Sequence, residues 1–170
     1  MICVKNIISD IKYLIQKIKE LDKKIVIILM SVALLQTVSY YFTSRRFFRA
    51  NLFESFQNYS QPYLIEFVYW FVGDFLTFFI LGLFIIKLIL KENLKDYGLQ
   101  FGDYKNGLKY SSIFLLVMII LIWFVSATPA FAEKYPHLSD AKSNWNILLI
   151  YEFGMLLYMF AWEFIWRGFM

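Results

Sequence analysis

Glu163 and Arg167 stand four residues apart in the stretch Trp162-Glu-Phe-Ile-Trp-Arg-Gly-Phe-Met170. On a helix that spacing puts a carboxylate and a guanidinium side by side. Glu152 lies eleven residues before Glu163. At about 100° per residue it returns to within roughly 20° of the same direction, about 16 Å further along the axis. The three charges therefore share one stripe with Leu156 and Met159, in an otherwise Leu, Ile, Phe, Trp and Tyr setting. Two chemistries fit. A Glu–Arg pair can fix helix packing or snorkel at an interface. Alternatively, a poorly hydrated carboxylate held ionised by a guanidinium can take a proton from water. A second set lies earlier, where Asp74 stands beside Gly73 and Glu66 follows Pro62 by four residues. Asp74 is expected deep in a helix as a hydrogen-bonded partner for another helix, and Glu66 is expected at an interface.

These residues need membrane helices to position them. The chain has 170 residues, 60% hydrophobic and 21% aromatic, above the roughly 45–50% apolar content of soluble domains. Four stretches reach the roughly 20 apolar residues that a helix needs to cross a bilayer: about 25–43, 63–90, 108–128 and 145–170. All three prolines, Pro62, Pro129 and Pro136, fall at or between these stretches. The expected fold is all-α, a polytopic helical membrane protein of about four transmembrane helices. Residues 1–24 are expected to form an amphipathic helix, either lying on the membrane face as an interfacial helix or solvated in the cytoplasm. Its stripe is Ile7, Ile8, Ile11, Leu14, Ile15, Ile18 and Leu21, with lysines largely off that stripe. Residues 25–170 form the transmembrane domain.

A central charge costs about 2.5–3.5 kcal/mol on an insertion scale. The stripe of Glu152, Glu163 and Arg167 is therefore expected to face other helices or a wet cavity, with Glu163 and Arg167 as a buried pair. Lys and Arg residues assigned to alternate sides number eleven against five, with Arg167 joining the larger side. That side is expected to be cytoplasmic, with the N-terminus inside. The net charge of +4 is read as this topology signal, and nucleic acid is not expected as a partner. One cysteine, Cys3, excludes an internal disulfide and a cysteine-based metal site. The one histidine, His137, is expected in an outer loop, away from Glu163.

The stretch around Glu163, Arg167, Gly168, Phe169 and Met170 resembles the first motif of the CPBP family, the CAAX proteases and bacteriocin-processing (Abi) enzymes. Asp96-Tyr-Gly-Leu99, Tyr135-Pro136, Trp145 and Tyr151-Glu152 resemble further stretches of that family. The resemblance implies an intramembrane peptidase that hydrolyses peptide bonds of hydrophobic or lipidated, membrane-associated substrates in a bacterial cytoplasmic membrane. It implies Glu163 as acid/base or metal-facing residue, Arg167 as its orienting partner, and Glu152 and Asp74 in supporting or structural roles. In the full-length protein it implies a divalent metal such as zinc, which this chain alone does not support. Two departures stand out. Trp162 occupies the position of the motif's first glutamate, and the family's later histidine motifs are absent. The chain is accordingly expected to be an N-terminal portion, inactive by itself as a peptidase. Two other classes stay open, a non-catalytic membrane binding or immunity protein on the same scaffold and a small transporter subunit.

Overall fold

The computed structural model describes residues 22–170; the amphipathic helix expected over 1–24 lies outside them except for Asp22, Lys23 and Lys24. The described chain is all-helical, with four long apolar helices: α1 Lys23–Asn51, α2 Pro62–Leu90, α3 Tyr104–Ser126 and α4 Trp145–Phe169. Each is long and apolar enough to span a membrane, which makes the chain an integral membrane protein by composition and length.

The helix starts follow from local chemistry. Asp22 caps α1 by accepting from the Lys24 N–H at 2.8 Å. Pro62 opens α2, where its missing N–H has no intrahelical partner to lose. Asp103 accepts from the Asn106 N–H at the start of α3, and Asn144 accepts from the Asn146 and Ile147 N–H groups at the start of α4. Lys91, in the left-handed region at φ 55°, closes α2. The first helix departs from the expected 25–43. A π turn at Ser39–Thr43 leads to Ser44 in extended backbone, and the chain is helical again over Arg45–Asn51. The Ser44 hydroxyl restarts it by accepting from the Phe47 N–H at 3.2 Å. Arg45, Arg46 and Arg49, past the expected end of the first span, thus lie on the kinked end of α1.

The packed body consists of α1, α2 and α4. One apolar cluster joins Ile28, Val32 and Leu35 of α1 to Phe78 and Ile86 of α2 and to Ala161, Phe164, Ile165 and Phe169 of α4. A second joins Leu64, Phe67 and Phe71 to Ile147 and Tyr151. Lipid tails are as apolar as these side chains, so close fit rather than escape from water must hold the helices together. Two glycines provide it. A Cβ at Gly73 would come within 2.6 Å of the Thr43 Cβ, and one at Gly154 within 2.8 Å of the fully buried Phe71 ring. By contrast, none of the residues of α3 is buried.

The helices alternate in direction. Lys24 at the start of α1 pairs with Glu92 just beyond the end of α2, at 2.7 Å. Gly98, six residues further, lies against Gly168 near the end of α4. These groups share one end of the bundle, and Arg45, Arg49, Pro62 and Trp145 belong to the other.

Candidate functional site

Glu163 and Arg167 are brought together as their spacing implies, with Arg167 Nε 3.0 Å from Glu163 Oε2. The last turn of α4, Phe164–Phe169, is a π turn, a geometry that recurs at functional sites. Opposite it runs the short 3-10 turn Leu94–Tyr97, which ends at Gly98 with φ 81°. Only glycine adopts that left-handed backbone without a Cβ penalty. The two segments meet closely. A Cβ on Gly168 would come within 2.5 Å of the Tyr97 carbonyl oxygen. Together Tyr97, Gly98, Leu99, Phe160, Glu163, Phe164, Arg167 and Gly168 line a cavity of about 200 Å³. Beside it, Tyr97 donates its hydroxyl to Glu92, which also pairs with Lys24. The hydrogen bond from Lys24, reinforced by that from Tyr97, holds the Glu92 carboxyl below the usual carboxylate range, while burial pushes the Tyr97 phenol up.

Two expectations are corrected. The Glu163–Arg167 pair is not buried in the described chain, since their side chains are 54% and 81% exposed. The stripe of Glu152, Leu156, Met159 and Glu163 likewise faces away from the other helices, all four residues being exposed. The reason lies in the opposite face of α4. Tyr151, Gly154, Ala161, Phe164 and Ile165 are the residues buried against α1 and α2. Small and flat side chains allow helices to approach, and a charged stripe does not.

Glu152 does not join Glu163. It lines a separate cavity of about 520 Å³ near the start of α4, with His137, Tyr135, Tyr151, Phe131, Leu148 and Met155. His137 therefore stands at the end of α4 opposite Glu163, and its side chain is exposed. Trp162, in place of the motif's first glutamate, is part of an aromatic run with ring centroids 6.1 Å from Tyr158, 5.7 Å from Trp166 and 6.2 Å from Phe78.

Asp74 is buried, as expected, and is fully engaged. Its Oδ1 accepts from Ser39 at 2.7 Å and Thr43 at 2.5 Å, and its Oδ2 from the Trp70 indole N–H at 2.8 Å. The absence of a Cβ on Gly73 lets Thr43 come this near. Asp74 thus ties α1 to α2 and does not approach the Glu163 stripe.

Glu66 departs furthest from its expected interfacial position. Its side chain is wholly buried, and its Oε1 lies 2.5 Å from Arg45 Nε and 2.9 Å from Arg49 Nε. Arg45 also lies over the Phe67 ring, 3.9 Å from its centroid. The sequence carried a signal for this centre: Arg45 and Arg49 are spaced i, i+4, which puts both on one helix face, and Glu66 stands one turn after Pro62.

Among the described residues no three His, Cys, Asp or Glu side chains converge as a metal site. Glu163 itself has a guanidinium for its neighbour. The described residues therefore do not fit the divalent metal that the resemblance implies. No family model, curated protein or solved structure matches the chain.

Proposed function

We propose that the chain carries the first motif of a CPBP-type intramembrane peptidase, acting on peptide bonds of hydrophobic or lipidated substrates in a bacterial cytoplasmic membrane. Glu163 is its acid/base and Arg167 orients the carboxylate. The observation that carries this reading is the joining of two separated stretches. Asp96–Leu99 and Glu163–Met170, 60 or more residues apart, close on each other through Gly98 and Gly168 around the cavity at Glu163. Both stretches are those that resemble the family. The outward face of Glu163 suits a carboxylate that meets its substrate and a proton partner from beyond α1, α2 and α4.

At that site a water molecule hydrogen-bonded to Glu163 loses a proton to the carboxylate as it attacks the scissile carbonyl carbon. The proton then passes to the leaving amine. Arg167, 3.0 Å away, pairs with the carboxylate and holds it at the cavity. The end of the bundle holding Lys24, Lys91, Lys95, Lys105 and Arg167 is read as cytoplasmic from its excess of basic residues. A cysteine at Lys105 should be labelled only from inside intact cells and one at Arg49 from outside; the reverse pattern removes the topology.

The site reading is tested by placing a photoactivatable residue at Phe160 and presenting a prenylated peptide in proteoliposomes. Crosslinking that competes with unlabelled peptide is expected. Crosslinking to lipid alone would refute a substrate site in this cavity. The packing of Trp162 where a second carboxylate would stand favours one other reading, a non-catalytic binding protein on the same scaffold. That reading expects the crosslink without cleavage even by the protein expressed from its full reading frame.

A further inference from the structure

We propose that Arg45, Arg46 and Arg49, at the far end of the bundle from Glu163, form a binding site for a phosphate group. The inference is independent of the peptidase reading. Three guanidiniums fall within five residues on the short helical end of α1, and together with Ala50 they line an open cavity of about 480 Å³. Among the described residues a single carboxylate, Glu66, pairs with them. Arg45 and Arg49 both use Nε to hold the same Glu66 oxygen, so two positive charges are left over. Arg46 does not touch Glu66; it donates to the Tyr40 hydroxyl at 3.0 Å. Among the described residues, the terminal nitrogens of Arg45 and Arg49 have no hydrogen-bond acceptor.

Glu66 makes this more than a basic patch. Its carboxylate is wholly buried, with Oε2 unpaired, and it cannot follow the arginines into water. It fixes two guanidiniums from beneath by their inner edges and leaves the outer edges to the cavity. Arg45 is further clamped over Phe67. Guanidinium forks held in place match the several oxygens of a phosphate, with less side-chain freedom to lose on binding than loose lysines would have. Neutralising Glu66 needs one arginine. Three here also oppose the topology signal, which disfavours basic residues at this end.

The setting indicates what carries the phosphate. A neighbouring cavity of about 340 Å³ shares Arg46 and Ala50 and is walled by Tyr40, Tyr41 and Phe47. Tyrosines at this depth mark the water–lipid boundary. A net-anionic phosphate ester with an apolar tail and no cationic headgroup would place its charge on the arginines and its glycerol and first methylenes on those rings. A soluble phosphate compound offers the same charge without the tail, so the test separates the two.

The experiment measures ligand retention and thermal shift of the full chain in detergent. Its probes are phosphatidylglycerol, phosphatidic acid, phosphatidylcholine and inorganic phosphate, applied to the wild type and to Arg46→Gln. Because Arg46 does not contact Glu66, this variant keeps the buried centre intact, and its unliganded melting temperature checks that. The anionic phospholipids should bind at least about tenfold more tightly than phosphatidylcholine, and Arg46→Gln should lose about tenfold of that affinity, the worth of one charge-assisted hydrogen bond. Equal stabilisation by inorganic phosphate would support the site and assign it to soluble phosphates. Equal affinity for phosphatidylcholine and phosphatidylglycerol, or affinity unchanged in Arg46→Gln, would overturn it.

Discussion

Replacing Arg45 and Arg49 together by methionine should destabilise the protein far more than replacing Glu66 by glutamine. The three side chains form one ion cluster, but their exposures differ: Arg45 and Arg49 are 33% and 56% exposed, and Glu66 is not exposed at all. When Glu66 is neutralised, the two guanidiniums can turn outward and recover hydration along their long stems. That loss should stay near about 1 kcal/mol. When both arginines go, a carboxylate is stranded where no water reaches, and it must stay charged without a partner or take up a proton. Breaking a buried pair from one side costs about 3–5 kcal/mol. For a chain of this length that corresponds to roughly 6–20 °C of melting temperature. Adding Glu66→Leu to the double arginine variant should restore most of the loss, since well-packed apolar groups often replace a buried ion pair without penalty. The assay is thermal or SDS-induced unfolding in bicelles, followed by tryptophan fluorescence. The reasoning is refuted if Glu66→Gln costs as much as the double arginine change, or if the triple variant is no better than the double.

Three further outcomes follow from the packing and the charges. Gly154→Ala should destabilise by about 1–3 kcal/mol in the same unfolding assay, because the new Cβ would sit 2.8 Å from a Phe71 ring that is fully buried and cannot move aside. Glu163→Gln and Arg167→Met should each cost under about 1 kcal/mol and add nearly linearly in a double-mutant cycle, as for other exposed pairs, since the pair is exposed at 54% and 81%. The Lys24–Glu92 link should fail in acid. The folded-state pKa of Glu92 is depressed, so its contribution is fully present above the ordinary glutamate value of about 4.3 and is lost as pH falls through the lower folded value. The melting-temperature gap between wild type and Lys24→Met should therefore shrink as pH is taken from about 6 to below 4.

The four helices were legible because their signals are local: apolar runs of spanning length, with the prolines at or between them; the capping roles of Asp103 and Asn144 emerge only from the structure. The kink at Ser44 was not, because a serine among arginines reads as a loop until its hydroxyl is seen restarting the helix. The spacing of Glu163 and Arg167 foretold their contact, but not which way they face. Helix α4 is apolar all round, and its charges were the most visible asymmetry in the sequence. In lipid that asymmetry misleads, because the packing face is chosen by Gly154 and Ala161, which let Phe71 and its neighbours approach. Asp74 could be foreseen as buried, since a carboxylate beside a glycine in mid-helix needs donors from elsewhere. The burial of Glu66 depends on a pairing across 21 residues with Arg45, which helical periodicity does not encode.

The most direct test of the peptidase reading is cleavage of a quenched prenylated peptide in proteoliposomes by the protein expressed from its full reading frame, with product bonds identified by mass spectrometry. Hydrolysis is expected, falling by about 10²–10⁴-fold in Glu163→Gln, the usual worth of a general acid/base, while that variant keeps wild-type stability. Hydrolysis that survives Glu163→Gln unchanged would contradict the role given to Glu163, and a folded protein that crosslinks the peptide and never cleaves it would contradict the peptidase itself.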